Sequence, residues 1–112
     1  MGDELALIAD REATMQEWAA CAGPVLGGSQ FRVFEQVTTQ ICDPDGRGVL
    51  AYWPARYLEN RRAAVQAVGD LAATGAMWTD VALPYADPVR GRAVAEAVAD
   101  VVGGVVVDRS GR

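Results

Sequence analysis

The period of apolar and polar positions changes several times along the 112-residue chain, and each change marks an element. Glu4 to Ala9 is a short apolar run that stops at Asp10, which predicts a first strand. Thr14 followed by Glu17 fits a capping box, in which hydroxyl and carboxylate each take a free amide. The helix it opens is expected to reach about Ala22, with Met15, Trp18, Ala19 and Ala22 along one face and Gly23-Pro24 as its stop. From Phe31 to Ile41, Phe31, Val33, Val37, Thr39 and Ile41 alternate with Arg32, Gln36, Thr38 and Gln40, the period of a half-buried strand. Phe34 and Glu35 break that alternation, which leaves open a bulge or a change of environment along the strand. Asp43 to Gly48 is a turn sequence in which Pro44 pre-sets φ and Gly46 permits positive φ, so Val49 to Trp53 reads as the return strand of a hairpin.

Pro54 closes that strand. A second helix is expected from Leu58 to Ala73, with Ala64, Val65, Val68, Leu71 and Ala72 on one face and Gly75 as a left-handed stop. Met77 to Tyr85 alternates again and predicts a strand, with Pro84 leaving its last part unpaired or at an edge. Asp87-Pro88 is a helix start, an N-cap carboxylate with proline at the first helical position. Val94, Ala97, Val98, Val101 and Val102 line that helix, Gly103-Gly104 stops it, and Val105 to Val107 follows as a covered strand. The order is βαββαβαβ, an α+β fold in one domain over residues 1–112. It predicts a mixed or antiparallel sheet of about five strands with helices on one face. Its first six elements match the split-βαβ arrangement of ferredoxin-like domains. Val65, Val68, Leu71, Val94, Val98 and Val101 are the expected helix contribution to the core.

Composition narrows the function. Hydrophobic residues at 51% and charged residues at 22% are those of a chain that folds by itself. The formal net charge is −5 and every positive charge is an arginine, since lysine and histidine are both missing. Phosphate neutralisation by clustered cations is therefore disfavoured and nucleic acid is not the expected partner, whereas a basic protein is. Without histidine there is no His-based triad and no zinc site with imidazole ligands. Cys21 and Cys42 fit no metal or CxxC spacing and read as small, reduced, buried or half-buried thiols. No charged leader with an apolar core and no apolar run near 18 residues occurs, so a cytoplasmic protein without a membrane span is expected.

Candidate chemistry is sparse. Asp43, Asp45 and Gly46 form only part of a calcium loop, whose distal glutamate is missing. Gly27-Gly28 and Gly103-Gly104 make no phosphate cradle, and a nucleophile would have to act without histidine. The chain reads as a non-enzyme with no cofactor and no metal. The stronger signal is aromatic: Tyr52, Trp53 and Tyr57 cluster with Arg56 around Pro54, residue types that anchor protein interfaces, next to the acidic hairpin tip of Asp43 and Asp45.

The acidic domain, its βαββαβαβ order, and a helix stopping at Gly103-Gly104 before Val105-Val106-Val107-Asp108 resemble the small immunity proteins of bacterial polymorphic toxin systems. The resemblance is one of architecture over the whole chain. It implies a cytoplasmic antidote that occludes a cognate, basic toxin domain with acidic and aromatic side chains, and carries over no catalytic residue. The first reading is thus a protein-binding module acting through Asp43, Asp45, Tyr52, Trp53, Arg56 and Tyr57. The second is a small ligand-sensing or catalytic α+β domain, a homodimer with its site between sheet and helices.

Overall fold

The structure is a computed structural model that describes residues 4–57, 77–84 and 88–109. The helix expected over Leu58 to Ala73, with Val65, Val68, Leu71 and its Gly75 stop, lies outside the described residues, as do Tyr85 and Asp87.

Strand β1 (Glu4–Ala9) is buried from Leu5 to Ala9, as its unbroken apolar run requires of a strand covered on both faces. Helix α1 (Met15–Leu26) opens on the expected capping box: Glu17 N–H donates to Thr14 Oγ1 at 3.1 Å and Thr14 N–H to Glu17 Oε1 at 2.9 Å. The helix does not stop at Gly23-Pro24 but runs on to Leu26, where Gly27 takes a left-handed φ of 71°. Proline is tolerated there for two local reasons. Gly23 offers no Cβ to clash with the following ring, and the helix side of Ala20, whose carbonyl loses its donor, faces solvent. The buried stripe is Trp18, Ala22 and Leu26; Met15 and Ala19 face outward.

The span from Phe31 to Ile41 is not one strand. It is a hairpin of β2 (Gln30–Phe34) and β3 (Thr38–Cys42), closed where Val37 N–H donates to the Phe34 carbonyl at 3.1 Å. Glu35 and Gln36 hold φ of 54° and 62°, the two left-handed positions that a type I′ turn needs. The interruption at Phe34-Glu35 is thus a reversal of the chain, reached without the glycine or asparagine that ordinarily signals one.

Strand β4 (Gly48–Tyr52) returns beside β3, and β5 (Arg56–Tyr57), β6 (Met77–Ala82), helix α2 (Pro88–Val102) and β7 (Val105–Asp108) complete the described elements. Among the described residues seven strands form one antiparallel sheet in the order β2-β3-β4-β6-β1-β7, with β5 also pairing β6. Two strands more than the sequence suggested come from the split at Glu35 and from the short β5. Tyr52 lies opposite Val81 and Arg56 opposite Trp78, so four steps on one side match three on the other and a bulge separates β4 from β5. Both β6 and β7 run antiparallel to β1 and lie on either side of it, so they are parallel to each other and joined through α2. The split-βαβ unit is therefore made by the last elements around β1 rather than by the first six.

One core cluster joins Leu5, Leu7, Ile41, Leu50 and Val81 of the sheet to Trp18, Ala22, Val94 and Val98 of the helices; a smaller one joins Ala6, Ile8, Trp78 and Val107. Val94 and Val98 are fully buried as expected, but Val101 is 51% exposed. The buried stripe of α2 is Gly91, Val94, Ala95, Val98, Ala99 and Val102, rotated from the valine-rich face toward its smallest residues. Close approach is the cause: a Cβ on Gly91 would stand 2.4 Å from the Val49 carbonyl oxygen.

Candidate functional site

The bulge after β4 separates the aromatic residues of the connection. Tyr52 turns toward α1 and stacks on Trp18, centroids 4.4 Å apart and planes 9° from parallel. Burial raises its phenol above the ordinary value, against a lowering hydrogen bond from Thr39, so Tyr52 is a packing side chain. Trp53, one residue on, lies over the other face, with its N–H donating to the Asp80 carbonyl at 3.1 Å. Arg56 and Tyr57 are exposed, Tyr57 at 72%.

On that face Asp80 gathers side chains from distant parts of the chain. Its Oδ1 accepts from Trp78 Nε1 and Arg109 Nη1, each at 2.8 Å, and its Oδ2 accepts from Arg56 Nη1 at 2.9 Å. Both guanidinium carbons also lie over the Trp78 ring, 5.4 Å (Arg56) and 5.2 Å (Arg109) from its centroid, within cation–π range. Two guanidinium groups on one carboxylate leave N–H donors to spare. Beside it a cavity of about 320 Å³ is lined by Glu4, Trp53, Asp80, Val81, Ala82 and Arg109. Of this constellation sequence reasoning found Trp53 and Arg56 and missed Trp78, Asp80 and Arg109. The available signal was that Trp78 and Asp80, two apart on a strand, share a face.

Asp43 and Asp45 are elsewhere, beyond the other end of β4. Asp43 is only 4% exposed. Its Oδ1 accepts from the N–H groups of Asp45 and Arg47, both at 3.0 Å, and its Oδ2 from Arg90 Nη2 at 3.0 Å. The Arg47 amide first, then the Arg90 guanidinium, hold its carboxyl below the usual range. Asp43 fastens the β3–β4 turn to α2 and presents no rim charge; Asp45 remains exposed at the tip. The five residues of β4 put roughly 13 Å or more between this turn and Trp53, so the six singled-out residues do not share one surface.

Cys21 is half-buried in α1, and burial pushes its thiol up, with Glu17 and Asp100 adding to the shift, which disfavours the thiolate. Among the described residues, the largest grouping of open apolar side chains is at the β2–β3 hairpin: Val33, Phe34 and Val37 are 55%, 48% and 48% exposed within five consecutive residues. The alternation predicts Val33 and Val37 on one face of a half-buried strand with Phe34 at its break; all three are instead open to solvent. No protein family, no curated protein and no solved structure matches this chain.

Proposed function

We propose that this domain is a protein-binding module whose contact surface is the β2–β3 hairpin. The observation that carries the reading is the exposure of Val33, Phe34 and Val37 at an outer strand of the sheet. Val33 and Phe34 are successive residues of β2 and point to opposite faces, so the open apolar side chains flank both sides of the strand end, and exposed large apolar groups are a feature of interaction sites. The left-handed backbone at Glu35 and Gln36 holds the tip in a conformation that costs about 1 kcal/mol per residue, a strain more in keeping with function than with stability. The net charge of −5 favours a basic partner through steering, which agrees with the antidote that the resemblance to immunity proteins implies.

Co-purification of the tagged domain from its own cells tests this, comparing wild type with Val33→Ser/Phe34→Ser. Wild type retains a protein partner in stoichiometric amount, and the double variant loses it with its urea midpoint unchanged. A partner retained equally by both rules the hairpin out. A stoichiometric small molecule in place of a protein favours a second reading, a ligand site in the cavity beside Arg109, which its spare guanidinium donors support.

A further inference from the structure

The opposite edge of the sheet offers a second surface with a different chemistry. Strand β7 has β1 on one side and no described strand on the other. Arg109 N–H donates to the Glu4 carbonyl at 2.8 Å, which sets the parity of the ladder: Val105, Val107 and Arg109 bond to β1. The N–H and C=O of Val106 consequently point away from the sheet. Alongside this edge a groove of about 420 Å³ is lined by Glu96, Ala99, Asp100, Gly104, Val105 and Val106. Its floor is apolar, and its rim carries two exposed carboxylates one helical turn apart on α2, Glu96 and Asp100. Among the described residues neither carboxylate has a cation partner. Toward its far end Arg92 reaches Asp108 at 3.2 Å, tying the helix to the strand.

We propose that this groove takes an extended basic segment of another protein as an added strand along β7. A segment bonded to the outward groups of Val106 places the side chain opposite Val106 on the helix side, against the apolar floor at Ala99. Side chains two positions to either side share that face, where Glu96 and Asp100 attract Lys or Arg. A second copy of this chain is the wrong occupant on charge. Two-fold pairing of β7 with β7 continues one sheet and brings α2 beside α2, so Glu96 and Asp100 of each copy face those of the other. The inference does not depend on the hairpin, which lies at the other edge of the sheet.

Fluorescence anisotropy of the labelled peptide Arg-Thr-Val-Thr-Arg with the full chain tests it. Three comparisons accompany it: Glu-Thr-Val-Thr-Glu, the basic peptide N-methylated at its valine, and the protein variants Glu96→Lys/Asp100→Lys and Val106→Pro. Proline suits an edge position whose N–H faces solvent, so Val106→Pro removes the outward donor and leaves the bonds to β1. The basic peptide is expected to saturate and to weaken with added salt, with each comparison losing about tenfold or more in affinity. Val33→Ser/Phe34→Ser leaves peptide binding unchanged, which separates this site from the hairpin. The proposal is overturned by no saturation up to about 1 mM peptide, or by equal binding of the acidic or N-methylated peptide. A concentration-dependent dimer in sedimentation that Val106→Pro abolishes would show a second copy on the edge and overturn it as well.

Discussion

Replacing Gly91 with alanine sets two effects of known size against each other. Glycine within a helix gives up about 1 kcal/mol relative to alanine, so helix propensity alone predicts that Gly91→Ala stabilises α2. The packing predicts the reverse. The new Cβ would stand 2.4 Å from the Val49 carbonyl oxygen and 2.6 Å from Leu83 Cδ2. A carbon–oxygen contact ordinarily sits at about 3.3 Å or more. The Leu83 methyl can rotate aside, but the Val49 carbonyl belongs to the backbone of β4, which is paired with β3 and β6. Helix and sheet must therefore separate by most of an ångström over a core that includes Val94 and Val98. Overpacking of this kind costs about 1–3 kcal/mol, and where backbone has to yield the upper half of that range applies. Net of the propensity gain, Gly91→Ala is expected to lose about 1–2 kcal/mol, which lowers the urea midpoint by roughly 0.5–1 M at an ordinary slope for a domain of this size. Ala93→Gly, on the exposed side of the same helix, measures the propensity term without the contact and should lose about 1 kcal/mol. The steric cost is then the sum of the two losses. A Gly91→Ala midpoint at or above wild type would refute the close packing of α2 on β4.

Three further outcomes are expected. Val98→Ala should lose about 1–3 kcal/mol in urea unfolding, because its side chain is fully buried, whereas exposed Val101→Ala should change stability by less than about 0.5 kcal/mol. Glu35→Asn/Gln36→Gly should raise the unfolding free energy by about 1 kcal/mol, since asparagine and glycine accept the left-handed turn that Glu and Gln resist; an unchanged or lower urea midpoint would speak against that turn geometry. Glu17 is held down to about 2, first by the Arg11 guanidinium and then by the Thr14 amide. Its stabilisation is complete above the ordinary carboxylate range and is lost as pH falls toward 2, and the lowered Asp43 carboxyl acts in the same sense. The urea midpoint should accordingly drop across that window, with a shallower drop in Glu17→Gln.

The local elements were largely legible because each is set by neighbours in the chain. The capping box at Thr14 and Glu17, the Asp43 to Gly48 turn, the helix start at Pro88 and its stop at Gly103 all depend on groups within a few residues. The candidate sites were legible only in part. Trp53 and Arg56 stood out by residue type, but their setting is made by Asp80 and Arg109, the former 24 residues beyond Arg56 and the latter 29 beyond Asp80. Asp43 looked like a free charge because Arg90, which holds it, is 47 residues away. The break at Phe34-Glu35 was visible, yet whether it marks a bulge or a reversal depends on whether Thr38 to Cys42 has β4 to pair with. Residue periods thus determined that there are strands and helices and which positions of each are apolar. Tertiary structure decided which strands became edges, which face of α2 meets the sheet, and which charges are already paired. Those are contacts between segments far apart in the chain, and local sterics and hydrogen bonding do not specify them.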